Sequence, residues 1–493
     1  MSTPFYILLA VCAVVALAFH FKRRVASISA EAKARYGPET EYIPARDNMW
    51  KIEGDTNKCI ISSILVVENL TTETMKGEFM SSIKQDHYRR FKQRFVSYKG
   101  LPFFIKDEDF DVNVMIRKCD DATKPTNEAE LNIFLGRECS LAMPFDRPLW
   151  SIMVIEDFQK NSAGISETIL LFRIHHTIGD GIALGTMMFN MLNTEEQMKE
   201  VKDGNGSTIP ERTLVLSESS SQVQKKPPAN PWLVHALTTV LFLPTLLQVI
   251  FMPWDRNYYK STNLEGKKIV AMSHTYDLEK VKAIKNKMSA NINGKVTLND
   301  VLMGNLGCAL NRVWKKLDAG NKPPKDITVV MPINMRSDNN VPIIENRFAT
   351  PMVKIPTHTP EPIESALSMK KEIDALKKSV TPLIMYYATQ IAATILNNIL
   401  CGALLDLMAS KITAVVSNVP GPSETMYIGT HKLNKLTFWV PQRGDCGMGF
   451  SIITQGRNVT VGCILDAGCG VESEMVCKEY MTALEEMYEK VVA

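Results

Sequence analysis

The chain reads as an α/β protein made of two units of similar size, and three observations predict this. Strand-like apolar runs and helix-like patterns interleave through residues 42–193 and again through 267–493. A polar stretch separates them, with Ser217 to Ser221 and Lys225-Lys226-Pro227-Pro228 inside a connecting segment at 194–266. The strongest motif, His175-His176-Thr177-Ile178-Gly179-Asp180-Gly181, falls where a strand-like run gives way to a helical pattern. The 493 residues are enough for two or three domains. With 45% hydrophobic and 22% charged residues, the composition is that of a globular protein. A net charge of +3 and the lack of a basic, aromatic-interleaved patch give no reason to expect nucleic acid.

The elements follow in chain order. Phe5 to Phe21 carries no Lys, Arg, Asp or Glu and is followed directly by Lys22-Arg23-Arg24. Together with Met1 to Pro4 it approaches the length of about 20 residues that spans a bilayer. A cleaved signal would place its basic residues first, so residues 1–24 read as an uncleaved transmembrane anchor with the catalytic body on the cytosolic side. Residues 25–41 are polar and read as a linker. In the first unit Cys59 to Val67, Leu101 to Ile105, Asp111 to Val114, Leu149 to Ile155 and Thr168 to Ile174 read as strands.

Trp232 to Trp254 is nearly uncharged, bordered by Trp and interrupted by Pro244. It reads as a hairpin or monotopic segment dipping into one leaflet, with a helix packed between domains as the alternative. In the second unit Asp277 is placed to cap a helix carrying Leu278, Val281, Ile284 and Met288. Thr297-Leu298-Asn299-Asp300 has the capping-box form. Strands are expected at Ile327 to Ile333, Phe348 to Ile355, Ile412 to Val416, Leu436 to Val440, Gly449 to Thr454 and Val459 to Leu465. A helix closes the chain from about Glu472 to Val492.

The chemistry concentrates at His175 and His176, two of only eight histidines. A neutral imidazole at a rigid strand end suits general-base work on a hydroxyl. The competing reading is a buried pair that satisfies its own hydrogen bonds. Asp180 sits across a turn, where it can orient the loop through an arginine or fix a histidine tautomer. Adjacent histidines on a strand point to opposite faces, and neither an HExxH nor a CxxC occurs, so no metal is expected. Asn299 and Asp300 read equally as a helix N-terminus and as site groups.

The motif resembles the active-site signature of the CoA-dependent acyltransferase superfamily. Over roughly residues 42–490 the chain is similar to the wax ester synthase/diacylglycerol acyltransferase family. Supporting blocks occur in the same order: Arg147-Pro148-Leu149-Trp150, Thr297-Leu298-Asn299-Asp300-Val301, Pro332-Ile333-Asn334-Met335-Arg336 and Ser417-Asn418-Val419-Pro420-Gly421-Pro422. Thr177 and the Glu345 that precedes Asn346 depart from the family pattern. The resemblance implies two chloramphenicol-acetyltransferase-like subdomains with an active-site tunnel at their interface.

It also implies transfer of a fatty acyl group from acyl-CoA, a co-substrate rather than a cofactor, to a long-chain alcohol or a diacylglycerol. His176 would be the base, with His175, Asp180, Gly181 and Asn299 completing the catalytic set. Asp180 would be structural, paired with Arg336 or Arg173, and Gly181 would allow a turn that a Cβ obstructs. Pro148, Leu149, Trp150, Asn299, Asp300, Arg336 and Asn418 would meet substrate, although Trp150 reads equally as core and Asn418 as architecture. The expected partners are acyl-CoA, a lipid alcohol and membrane lipids, and the expected address is the endoplasmic reticulum membrane. Competing readings are another acceptor such as a sterol, an amide-forming condensation enzyme, and a non-catalytic lipid-binding protein.

Overall fold

The computed structural model describes residues 3–84, 86–197, 231–261, 263–292, 294–317, 323–336, 344–396 and 398–492, with the backbone alone for 3–18, 87 and 231–239. The polar stretch around Ser217 to Ser221 lies outside the described residues.

Two seven-stranded sheets form the frame. The first runs in the order Ile116–Lys118, Trp150–Lys160, Ser166–His175, Ile60–Glu68, His431–Trp439, Met426–Ile428, Leu192–Thr194. The second runs Tyr276–Asp277, Asn458–Asp466, Met448–Gln455, Ala414–Pro420, Asp326–Val330, Met352–Pro356, with Lys268–Met272 also paired to Asn458–Asp466. The α/β expectation therefore holds, with one addition. Two strands from the C-terminal half, Met426–Ile428 and His431–Trp439, complete the first sheet.

His431–Trp439 pairs antiparallel with Ile60–Glu68, setting Trp439 against Ser62 and Leu436 against Leu65. Its other side packs on Met448–Gln455 and Asn458–Asp466. The Ser451 hydroxyl donates to the Phe438 carbonyl across that contact. Each half has its own apolar core. A third cluster, with Ile64, Ile169, Leu135, Val270, Trp439 and Ile464, joins the two.

Most predicted elements appear within a few residues of their expected ends. Asp277 accepts from the Glu279 N–H and caps Leu278–Asn291. Thr297 and Asp300 form a reciprocal capping box on Leu298–Lys316. Asp111 to Val114 corrects to a helical turn, Val112–Met115, because the Asp111 side chain caps it at the Asn113 N–H. The expected linker at 25–41 corrects to helix as far as Tyr36. There Ile28 and Ala32 are buried against Leu101, Phe103 and Ile105, which ties this helix to the body.

The same helix begins at Thr3 and so includes the apolar run Phe5 to Phe21, whose side chains up to residue 18 lie outside those described. Among the described residues no helix is long and apolar enough to cross a membrane. The segment around Pro244 is one helix, Pro231–Phe251, and not a hairpin. Leu243 and Phe251 on it are exposed, which corrects the alternative of a helix buried between domains.

The Ser417-to-Pro422 block has an architectural reason. Asn418 to Pro420 end the strand Ala414–Pro420, which pairs in parallel with Met448–Gln455. The next residue, Gly421, passes so close to the neighbouring strand that a Cβ would fall 1.9 Å from the Thr454 carbonyl oxygen. Backbone cannot yield as a flexible side chain does. Gly421→Ala is expected to cost about 1–3 kcal/mol through overpacking, read as a lower denaturation midpoint at unchanged slope. Unaltered stability would show that the strands separate easily here.

Candidate active site

The strand Ser166–His175 carries both histidines to one end of the first sheet. Its partner Ile60–Glu68 fixes its register, with His175 opposite Ile60. Both histidines are buried, and their backbone N–H groups are held from either side: His175 donates to the Leu149 carbonyl and His176 to that of Cys59, at 2.9 and 2.8 Å. The two side chains meet different surroundings, as alternation along a strand requires.

His175 is engaged through Nδ1, and its Nε2 faces a carboxylate without a hydrogen bond. The Thr177 N–H donates to its Nδ1 at 3.1 Å, which places the ring proton on Nε2, 3.3 Å from Glu53 Oε1. Glu53 also accepts the Cys59 N–H at 2.7 Å. Burial pushes the Glu53 carboxyl up, but the His175 ring and the Cys59 N–H outweigh it and hold the group below its ordinary value. His175 thus ties the loop after the strand to the segment before Cys59.

His176 is placed for chemistry. The Trp50 indole lies over its ring at 4.0 Å between centroids and 21° between planes, and Phe348 stands 5.6 Å away. Its Nδ1 is shielded from solvent and has no hydrogen-bond partner among the described residues. Burial drives its pKa down to about 4; the Asp180 carboxylate, its own carbonyl and the Asn346 side chain offset only part of this. The imidazole is therefore neutral at physiological pH. A chain of bonds fixes the backbone behind it. Asn346 Nδ2 donates to the His176 carbonyl at 2.8 Å and to Asp47 Oδ1 at 3.0 Å. Asp47 also accepts from the Asn346 N–H and from Arg90, and Arg90 in turn donates to the Ile178 carbonyl.

Asp180 has no hydrogen bond to either imidazole among the described residues. Its Oδ1 caps Gly181–Asn190 by accepting the Ala183 N–H at 2.9 Å. Its Oδ2 accepts from Arg336 Nη1 at 2.9 Å and from the Arg347 N–H at 2.7 Å. Arg336 closes the loop by donating to the Glu345 carbonyl at 2.6 Å. Of the two arginines named from the sequence, Arg336 is thus the partner. Arg173 donates instead to the Leu141 carbonyl. Glu345, the departure noted in the sequence, pairs with Arg46 and, at 2.7 Å, with Arg347.

Other expectations need correction. Gly181 begins the helix with no positive φ, and a Cβ there would meet nothing within 4 Å, so the steric reason for glycine fails. Leu149 and Trp150 lie in the first core, at 0% and 2% exposure. Trp150 donates its indole N–H to the Phe91 carbonyl and packs on Phe79. Residues that solvent cannot reach do not line an open acyl channel. Pro148 is buried beside them.

Asp300 is used by its helix cap, and burial raises its pKa. Asn299 and Asn418 meet, with Asn418 Nδ2 donating to Asn299 Oδ1 at 3.0 Å. No described hydrogen bond or ring contact links that pair to His176. Sequence reasoning missed Trp50, Glu53, Asp47 and Phe348, because no local pattern surrounds them. Asn346 was visible only as part of a departing dipeptide.

Asp180 and Arg336 are both buried, at 5% and 7% side-chain exposure, so removing one strands the other. Asp180→Ala is expected to cost about 3–5 kcal/mol, with loss of the helix cap included, and to lower the melting temperature and activity together. An inactive variant of unchanged stability would assign Asp180 a direct chemical role.

Comparison with known proteins places the chain in a family. Residues 47–296 match the model of the wax ester synthase/diacylglycerol acyltransferase catalytic domain, and residues 344–488 match that of the WS/DGAT C-terminal domain. The O-acyltransferase WSD of Acinetobacter baylyi is 22% identical over 355 residues, spanning 68% of this chain and 72% of that protein. The solved wax ester synthase/diacylglycerol acyltransferase of Marinobacter aquaeolei VT8 superposes with a TM-score of 0.63 at 18% identity, covering 92% of this chain and all of that one. The first condensation domain of the CDA synthetase shares the fold at a TM-score of 0.55 and 12% identity, covering 92% and 97% of the two chains. With both family domains matched in order along most of its length, the chain belongs to the wax ester synthase/diacylglycerol acyltransferase family.

Proposed function

We propose that the protein is an acyl-CoA-dependent O-acyltransferase that esterifies a lipid hydroxyl, a long-chain alcohol or a diacylglycerol, with His176 as general base. The observation that carries this is a neutral, buried imidazole held from behind by its backbone and faced by aromatic rings. With Nδ1 shielded, Nε2 is the nitrogen left to meet the acceptor. It takes the hydroxyl proton as the oxygen attacks the thioester carbonyl, and returns it to the CoA thiolate as the C–S bond breaks. The acyl group passes directly to the acceptor, so proximity and not a covalent enzyme intermediate supplies much of the rate. Asn299, whose oxygen end is bound by Asn418, is one candidate donor to the developing oxyanion through its Nδ2, with a backbone N–H as the alternative. Asp180 and Arg336 hold the frame.

An N-terminal anchor in the endoplasmic reticulum membrane is part of the same proposal. The apolar run Phe5 to Phe21 supports the anchor, and the Lys22-Arg23-Arg24 that follows supports a body on the cytosolic side.

His176→Ala is expected to lower ester formation by about 10²–10⁴-fold while the protein stays folded, measured with labelled acyl-CoA and a panel of acceptors. Near wild-type turnover would remove His176 from the reaction. Asn299→Ala should lower kcat by about 10²–10³-fold with little change in acyl-CoA binding. An effect confined to KM would return Asn299 to its helix.

The pH profile gives an independent check. A base with a pKa of about 4 stays unprotonated down to about pH 5. On its acid side kcat/KM should therefore be flat between pH 8 and 5 and fall only near 4. An ordinary imidazole, at about 6.5, would lose about 30-fold by pH 5. An acid limb near 6.5 would contradict the burial described above. The same shift costs stability as the pH falls from about 6.5 to about 4, because the unfolded chain binds the proton first.

A further inference from the structure

We propose that three helices beside the site form a docking face for a phospholipid bilayer, and that the lipid acceptor reaches His176 through it. The helices are Pro231–Phe251, Thr381–Ile395 and Asn398–Ala409. The second packs against both of the others. Their sequences hold one charged residue, Asp406, and it is neutralised by Arg443 at 3.0 Å. Large apolar side chains stand out from all three: Leu243 is 60% exposed, Phe251 78%, Ile395 67% and Ile399 82%. Scattered exposed apolar residues are ordinary, but a cluster of this kind over adjoining helices marks an interaction surface.

The chemistry of the face selects the partner. A protein partner is usually met by an apolar centre within a polar, hydrogen-bonding rim. Here the helices themselves supply almost no charge, while Trp254 and Arg256 are exposed just after the first helix, Lys378 just before the second, and Tyr387 along the second. Amphipathic aromatic rings and cations at the edge of an aliphatic surface match the headgroup layer of a leaflet. Pro244 inside the first helix fits a segment lying in the plane of the leaflet and not across it.

The face is also continuous with the site. Thr381–Ile395 packs on Ala45–Asn48 and on the strand Phe348–Ala349, and Asn398–Ala409 packs on the turn Met49–Lys51. Those short elements carry Trp50 and Phe348, the rings that cover His176. An acceptor leaving the leaflet at this point comes next to the elements whose rings cover the imidazole. The delivery half of the proposal rests on the acyl-transfer reading; the docking half stands on geometry alone.

Single cysteines at Leu243, Ile395 and Ile399, and at Ile133 as a remote exposed control, allow a test in the full chain. The nine described native cysteines are all buried, and Cys12→Ser removes the other. Each position is labelled with an environment-sensitive fluorophore and mixed with phosphatidylcholine vesicles, with and without brominated acyl chains. The three face positions should shift to the blue and be quenched by bromolipid, and position 133 should do neither. Unshifted face labels on vesicle-bound protein would overturn the proposal. So would a shift seen only with triolein droplets, or one that grows with protein concentration without lipid.

The double variant Ile395→Asp/Ile399→Asp should raise the apparent KM for a vesicle-borne acceptor about tenfold or more, because charge enters the leaflet poorly. Turnover of a short, water-soluble alcohol should be unchanged. Equal loss on both acceptors would overturn delivery through the face. If neither acceptor is esterified even by the unmodified chain, the acyl-transfer reading fails while the labels still decide docking.

Discussion

The site depends on one carboxylate. Asp180 caps the helix that follows the histidine loop and also receives Arg336 and the Arg347 N–H from the other half of the chain. Those bonds hold Arg336 and the segment 345–347 against the loop that follows the histidines. Asn346 lies in that stretch, and its amide is what grips the His176 carbonyl. The position of the imidazole is therefore set from across the interface. A buried ion pair adds little net stability compared with apolar packing, yet breaking one is costly. Here it specifies how two halves meet.

Around this junction the aromatic cover and the electrostatics act together. Trp50 and Phe348 cover the His176 ring, and burial keeps it neutral against the opposing pull of the Asp180 carboxylate. The lowered basicity reduces the drive to accept a proton but guarantees that the accepting form is present. His175 has the opposite character. Its Nδ1 accepts the Thr177 N–H and its Nε2 faces the Glu53 carboxylate at 3.3 Å, so it serves as a strut between Glu53 and the loop. Two identical side chains thus divide into chemistry and architecture through their neighbours alone.

The fold class, most strands and both capping devices were legible because each is a local pattern. A continuous apolar, β-branched run from Thr168 to Ile174 marked the strand Ser166–His175, and Thr297 with Asp300 announced a helix start. What local patterns do not carry is pairing. Nothing in Met426–Trp439 tells which sheet it joins. The residues that complete the site, Trp50, Glu53 and Asp47, come from an unpatterned stretch more than a hundred positions before the histidines. Trp150 read equally as substrate contact and as core, and its burial and its bond to Phe91 favour core. Gly181 shows that a motif glycine need not answer a steric demand at its own position.

The exchange of strands between halves also has a kinetic side. Ile60–Glu68 needs His431–Trp439 on one edge, and these segments lie more than 350 residues apart. Contacts of such high order form late and slow folding. At about 5–20 residues per second, the first sheet waits on the order of half a minute during synthesis with one edge unpaired. An apolar, unpaired edge invites pairing with other chains. Nascent molecules of this protein therefore carry an exposed apolar edge during that interval, and either half produced alone would keep it.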